Sequence, residues 1–426
     1  MNRVVDEIEQ DAHPRAGSAV RHMLRSFSVQ DDCLQIGGLS LTRLAQRVGQ
    51  TPFFAYSRDL VSRRVAELRQ AMPATMKLHF AIKANPFRPL VHHLQPLVDG
   101  FDVASGAELA IALDTGIAPH DISFAGPGKR DDELLRALAA GILLNVESTT
   151  ELDRIGRLAR CHGLTARVAL RINPDYALRS SGMSMGGSAK QFGIDATAIP
   201  GVLRTLGEQR EWLRFEGFQI FSGAQNLNAG HLIDAQRRAL NLVIELAPHT
   251  PSPIRCFNLG GGFGVPYFDG DMPLDIEAVG SALHALCVDA ARALPDAEIV
   301  LELGRYLVSE AGIYVCSVVD RKVSNGVPFL VMDGGMHHHL SASGNLGQLI
   351  RRNYPVVVGN RVVGDERERV NVVGPLCTPL DIIAHQATLA TARPGDLLVV
   401  FQSGAYGLTA SPNGFLSQPA AREVIV

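Results

Sequence analysis

From about residue 51 to 311 the chain alternates short apolar runs with longer stretches whose apolar residues recur at helical spacing. Eight runs read as strands: "LHFAIKA", "FDVAS", "ISFAG", "ILLNVES", "ARVALRI", "FEGFQIF", "RCFNLGG" and "IVLELGR". Between them, "AELAIALDTG" ends on Gly116, a helix-stopping residue. "TTELDRIGRLARCHG" opens on a threonine able to cap and closes on Gly163. "DAQRRALNLVIELA" and "IEAVGSALHALCVDAARAL" show the same helical periodicity. Strands regularly followed by helices predict a parallel sheet. Eight such units in about 260 residues fit a closed (β/α)8 barrel, with an open doubly wound sheet as the alternative.

Past Gly312 the helical period fades. "GIYVCSVVDRKV", "PFLVMDGG", "YPVVVGNRVV", "RVNVVGPLC", "TLATARPGDLLVVF" and "REVIV" are rich in β-branched residues and broken by Gly, Pro and Asn. They predict a mostly antiparallel β domain. The expected organisation is an N-terminal segment over 1–50 joining the β domain, a barrel over 51–311 and a C-terminal β domain over 312–426. "SGMSMGGSAKQFG", residues 181–193, reads as a mobile loop over the barrel mouth.

Composition narrows the function classes. With 426 residues, 46% hydrophobic and 19% charged, the chain is globular and long enough for two or three domains. A net charge of −3 offers no basic surface of the kind nucleic acid requires. No apolar run is long enough to cross a bilayer, and the acidic start "MNRVVDEIEQDAHPRAG" lacks the pattern of a signal peptide. Six scattered cysteines without a C-x-x-C pair suggest free thiols in a reducing cytosol. The expectation is a soluble cytoplasmic protein, with neither nucleic acid nor membrane as partner.

Three features carry chemistry. In "HFAIKANP", Lys83 falls near the end of the first predicted strand, on the face where barrels build active sites. A desolvated lysine loses basicity and can attack a carbonyl, although a structural ion pair would explain the same burial. At the end of the seventh strand "NLGGGFG" sets Gly260, Gly261 and Gly262 in succession. Consecutive glycines let backbone N–H groups approach an anion, yet they equally make a tight turn. At the end of the eighth strand, "LELGRY" supplies Glu302 and Arg305. Together, a reactive lysine, a phosphate cradle, an arginine and a buried carboxylate suit pyridoxal 5′-phosphate (PLP).

"FAIKANP", "GGGFGVPY", "ELGR", "GPLC" and "GAYG", in this order, resemble the fold-type III, alanine-racemase-like PLP decarboxylases, which include the diaminopimelate and ornithine/arginine enzymes. The resemblance runs from about residue 51 to the C-terminus. It implies Lys83 as Schiff-base lysine and Glu302 as partner of the pyridine nitrogen. It further implies Gly260, Gly261, Gly262 and Arg305 as the phosphate site, and Tyr406 as a tyrosine returning to the cofactor. Cys377 matches the family cysteine, which in those enzymes comes from the partner subunit of a head-to-tail homodimer. Arg305, Thr378 and Tyr406 are the expected substrate contacts.

The departures from that family are informative. Gln219 and Phe221 stand where histidines are usual, and Phe221 aligns with the ring that stacks on the pyridine. Ala224 replaces a serine. Thr378 replaces the acidic residue that reads a distal ammonium, and Ser341 replaces a substrate-binding arginine. A basic diamino acid loses its specific contacts here. The pattern, with "GPLCTPLD" and "FSGAQNLN", resembles the branches that decarboxylate glutamyl groups on an acyl-carrier protein or accompany exosortase loci. The expected function is α-decarboxylation of an aminoacyl group, for instance glutamyl, on a carrier that docks on Arg351 and Arg352. The alternatives are a decarboxylase of a free amino acid such as diaminopimelate, a racemase, a non-catalytic regulatory homologue, or a metal-dependent aldolase. Cys377 argues against the racemase, which needs a tyrosine base. Consecutive strand residues face opposite ways, so the run His337–His339 predicts no metal site and reads instead as a loop or part of a substrate channel.

Overall fold

The structure, a computed structural model, describes residues 17–176, 183–184, 189–348, 350–364 and 366–426. These divide into two compact units.

The first unit comprises residues 62–265 and 273–307. Its strands are β1 (Lys77–Ala81), β2 (Gly100–Val103), β3 (Ile122–Phe124), β4 (Leu143–Val146), β5 (Ala166–Asn173), β6 (Leu213–Gln219), β7 (Cys256–Asn258) and β8 (Glu298–Leu303). Each pairs in parallel with the next, and β8 returns to β1, so the sheet closes into the barrel expected from the sequence. The helices bury one stripe each. Thr149–His162, for example, buries Leu152, Ile155, Leu158 and Ala159. Ser148, rather than Thr149, caps it by accepting the Glu151 N–H, because Thr149 has already turned helical. Gly163, at φ +62°, ends it in the left-handed conformation.

The barrel's C-terminal half is lined by polar side chains. Asp102, Ser123, Asn145, Gln219, Asn258 and Glu302 are all buried, on β2, β3, β4, β6, β7 and β8. Burying six polar groups in one layer opposes folding unless they pair with one another or with a ligand. Such a layer marks where the chemistry sits.

The second unit comprises residues up to 61, 266–272 and 308–426. Its sheet contains β9 (Gly312–Ser324), β10 (Val327–Met332), β11 (Val356–Val358), β12 (Arg367–Val373), β13 (Ile382–Ala390) and β14 (Leu397–Val400), in the order β11-β14-β9-β10-β12-β13. Pairing is antiparallel except between β10 and β12. The strand Phe53–Tyr56 pairs antiparallel with β9 and parallel with Arg422–Ile425, so this stretch belongs to the β sheet. Phe53, Ala55, Ile313, Val315, Val357, Val399 and Phe401 pack with Leu34, Ile36, Leu41 and Leu44 of the N-terminal segment in one core.

Candidate active site

Lys83 stands in a single 3-10 turn, Ile82–Ala84, directly after β1 rather than in the strand. Ile82 and Ala84 are buried and hold the turn, while the lysine side chain keeps 37% exposure. Its Nζ lies 3.3 Å from Glu302 Oε1 and 3.5 Å from Asp102 Oδ2. Register explains the meeting. β1 is flanked by β8 and β2, with His79 opposite Glu302 and Ala81 opposite Asp102. The Phe221 ring centroid is 5.6 Å from Nζ.

Glu302 is the most heavily supported group of the layer. Gln219 Nε2 donates to its Oε2 at 2.9 Å and Asn258 Nδ2 to the same oxygen at 3.3 Å. Burial alone would raise its pKa. The Lys83 ammonium, a hydrogen bond from Asp102 and the Arg171 guanidinium outweigh it and hold Glu302 below the ordinary carboxylate value. Asp102 goes the other way. Complete burial and the neighbouring Glu302 charge push it well up, against the pull of Lys83 and a 3.0 Å hydrogen bond from Ser123 Oγ. Two carboxylates in one desolvated layer are therefore pushed in opposite directions, Glu302 toward its charged form and Asp102 toward its protonated form.

The glycine run is packed between these groups. A Cβ on Gly261 would lie 2.0 Å from the Glu302 carbonyl oxygen, and one on Gly260 would lie 2.8 Å from Phe221 Cδ2. Gly260 and Gly262 have φ of +67° and +87°. Asn258 Oδ1 accepts the Gly260 N–H at 2.7 Å, and the Gly260 carbonyl accepts the Glu302 N–H at 2.7 Å. The run is thus a turn locked onto β8. Arg305 follows β8 at the start of the short helix Arg305–Val308 and is half-buried.

Cys377, Thr378 and Tyr406 lie in the second unit. Cys377 is exposed in the loop after β12. Next to it, Thr378 donates its N–H to the Leu376 carbonyl and accepts the Leu380 N–H on Oγ1. Tyr406 adopts φ +52°, and its carbonyl accepts a hydrogen bond from Ser341 Oγ at 3.1 Å. Ser341 is thereby spent on the backbone of the tyrosine loop.

Two sequence readings meet the structure here. His337–His339 lie in a turn after β10, in keeping with the loop expected of them, so alternation of strand faces does not govern them. The ring nitrogens of His338 and His339 are engaged separately. His338 meets Tyr314 Oη and the Pro419 carbonyl, and His339 meets Ser403 Oγ and the Ala342 N–H. His337 is fully buried against the His338 ring, with centroids 3.8 Å apart. Burial lowers His338 to about 4 and His339 to about 3, so both are neutral. The second concerns Arg351 and Arg352, expected as a docking pair. Arg351 donates to the Ser343 and Ile382 carbonyls, while Arg352 lies 3.9 Å over the Phe268 ring and 3.4 Å from Asp271. Both are exposed but engaged. Residues 181–182 and 185–188 of the 181–193 stretch fall outside the described residues.

Asp102 and Asn258 were not singled out from sequence. The available signal was an acid inside "FDVAS", where both sequence neighbours are apolar. Only strand register sets it against Lys83.

Residues 58–309 match the family described as pyridoxal-dependent decarboxylase, pyridoxal binding domain. The chain is 36% identical over 390 residues to the L-glutamyl-[BtrI acyl-carrier protein] decarboxylase of Niallia circulans, covering 90% of each. It is 33% identical over 402 residues to the diaminopimelate decarboxylase of Aquifex aeolicus, covering 93% of this chain and 91% of that one. Among solved structures, the diaminopimelate decarboxylase of M. jannaschii in complex with L-lysine superposes with a TM-score of 0.85 at 26% identity, over 94% of this chain and 92% of that one. With the family match spanning more than half the chain and the relatives nearly all of it, this chain belongs to the pyridoxal-dependent decarboxylases.

Proposed function

We propose that this protein uses PLP to α-decarboxylate an aminoacyl group, glutamyl being the leading candidate, carried on an acyl-carrier protein as a thioester of its distal carboxyl, which leaves the α-carboxylate free to depart as CO2. The observation that carries the cofactor assignment is Lys83 lodged between the carboxylates of Glu302 and Asp102, beside a glycine turn with no room for a side chain. The residues present fit the group. Lys83 would hold its aldehyde carbon, and Glu302 its pyridine nitrogen. Gly260–Gly262 and Arg305 would hold its phosphate, and Phe221 and Tyr406 its ring. When bound, PLP supplies an electron sink for the pair left on Cα as CO2 departs.

The rest of the chemistry belongs to the chain. Glu302, kept anionic by Lys83, Asp102 and Arg171, would keep a proton on the pyridine nitrogen. Lys83 would hold the aldehyde carbon whenever no substrate amine is bound there. Asp102, buried 3.5 Å from the Lys83 nitrogen and pushed toward its protonated form by burial and by Glu302, would help to orient that nitrogen. Cys377 returns a proton to Cα. Enzymes of this reading work as head-to-tail homodimers in the cytoplasm, with Cys377 serving the partner subunit's barrel. Among the described residues no helix is long and apolar enough to cross a membrane.

Substrate choice follows from what Ser341 and Thr378 do. One is tied to the Tyr406 carbonyl and the other to the Leu380 N–H, and neither carries charge to read a distal ammonium or carboxylate. A site for a free diamino acid needs such a group, because shape alone discriminates by only about 10–200-fold per methylene. A thioester-tethered substrate has no free distal group to read. Intact-mass analysis of a glutamyl-loaded carrier protein after incubation with the holoenzyme should show loss of CO2. Free glutamate, diaminopimelate, ornithine, arginine and lysine should react far more slowly. Comparable turnover of any of them would return the protein to the free amino-acid decarboxylases.

A further inference from the structure

Asp381 is a charged side chain with 2% exposure that the proposed chemistry does not use. Its Oδ1 accepts the Met336 N–H at 2.7 Å and its Oδ2 accepts the Leu376 N–H at 2.9 Å. These donors lie on different loops. Met336 precedes the histidine turn, and Leu376 precedes Cys377. The Asp381 backbone joins in, since its carbonyl accepts the Gly374 N–H at 3.0 Å and its N–H reaches the Thr378 carbonyl at 3.3 Å. With Thr378 N–H on the Leu376 carbonyl at 2.8 Å, residues 374–381 form a knot that leaves Cys377 exposed at its surface.

Two glycines show how closely the carboxylate is gripped. A Cβ at Gly335 or at Gly374 would lie 2.3 Å from an Asp381 oxygen, so each loop approaches it as only glycine can. Arg351 braces the same region by donating to the Ser343 and Ile382 carbonyls. A carboxylate that merely capped one turn would need neither the second loop nor the second glycine.

We infer that Asp381 is a positioning residue for Cys377: it ties the 374–378 loop to the 335–336 turn and so fixes where the thiol is presented. This rests on Cys377 acting as proton donor in the decarboxylation proposed above. Misplacing a reacting group by about 1 Å can cost about 10²-fold, so loosening the tie should cost turnover without touching the Lys83 layer.

The test uses the full chain loaded with PLP, as Asp381→Asn, Cys377→Ala and the double variant. An asparagine keeps the shape but offers one acceptor to two N–H groups. Asp381→Asn should keep the cofactor absorbance and lose turnover by about 10–10²-fold. The double variant should lie within about twofold of Cys377→Ala, because a residue acting only through Cys377 has nothing further to lose. The iodoacetamide alkylation rate of Cys377 should change relative to that of Cys161, which is exposed on the other unit. Losses that multiply in the double variant, or an unchanged alkylation ratio in a folded protein, would overturn the inference. If the wild-type protein decarboxylates nothing offered, the functional reading fails, while the alkylation ratio still decides the tie. Should Asp381→Asn not fold, Asp381→Glu displaces both acceptors by one methylene and carries the same measurements.

Discussion

At the residue scale, the division of charge between Asp102 and Glu302 makes opposite predictions for two similar substitutions. Burial and the Glu302 charge favour the protonated form of Asp102, so Asp102→Asn disturbs the charge of the layer less than a substitution at Glu302 does and keeps the hydrogen-bonding shape. It should keep PLP and retain turnover within about tenfold of wild type, the loss being one of fine positioning. Glu302→Gln removes the anion that Lys83, Asp102 and Arg171 stabilise, and should cost about 10²-fold or more in kcat, as losing a preorganised electrostatic partner typically does. Equal losses from the two variants in steady-state assays would contradict the assignment. Borohydride treatment of the holoenzyme should bleach its visible band and leave a reduced pyridoxyl adduct on Lys83 in peptide mass spectrometry. An adduct on another lysine would remove Lys83 from the site.

The buried histidines give a pH prediction with a definite sign. His338 and His339 are lowered by burial to about 4 and about 3. In the unfolded chain they would take protons near pH 6.5. Their contribution to stability is therefore complete above that pH and is lost as pH falls toward 4 and then 3. Nitrogen-15 NMR of histidine-labelled protein should find both rings neutral from pH 8 to 5. A midpoint near 6.5 for either would mean the ring is solvated.

At the element scale, the alternation of apolar runs and helical periods was enough to read eight strands and the helices between them. A strand buried on both faces must be apolar, and a helix packed on one side must be amphipathic. What eluded the pattern were short turns. Lys83 left its strand for a 3-10 turn, because a few residues carry no readable period. The glycine run shows how an element can be legible as a motif but not as a geometry. Its anion-cradle reading required spacing alone, whereas its contact with the Glu302 carbonyl is a property of β7 lying beside β8. Gly261→Ala should therefore weaken PLP binding and lower stability by about 1–3 kcal/mol, the usual cost of overpacking. A titration of apoprotein with PLP and a thermal melt would check both. Unchanged values would mean the turn relaxes freely.

At the scale of the whole molecule, the candidate residues are split between the two units: Lys83, Phe221, Gly260–Gly262, Glu302 and Arg305 on the barrel, and Cys377, Thr378 and Tyr406 on the β unit. If the proposed homodimer shares its sites, mixing inactive Lys83→Ala and Cys377→Ala proteins should restore activity. Random exchange makes half of the dimers mixed, each with one intact site of two, so recovery should reach about a quarter of wild type. No recovery despite subunit exchange seen by native mass spectrometry would confine each site to one chain.

The sequence alone made the barrel and the β sheet legible and picked out Lys83, Glu302 and the glycines as candidates, because periodicity and motif order are local properties of the chain. It could not determine the pairing of Asp102 with Glu302, the amide support from Gln219 and Asn258, or the tie from Asp381 to two loops. Those depend on contacts between residues distant in the chain, for example 83 positions apart for Gln219 and Glu302 and 45 for Met336 and Asp381. Nothing in a stretch of chain encodes which distant stretch will lie against it. Only closure of the barrel and stacking of the loops brings those groups within reach, and burial then sets which of them carries a charge.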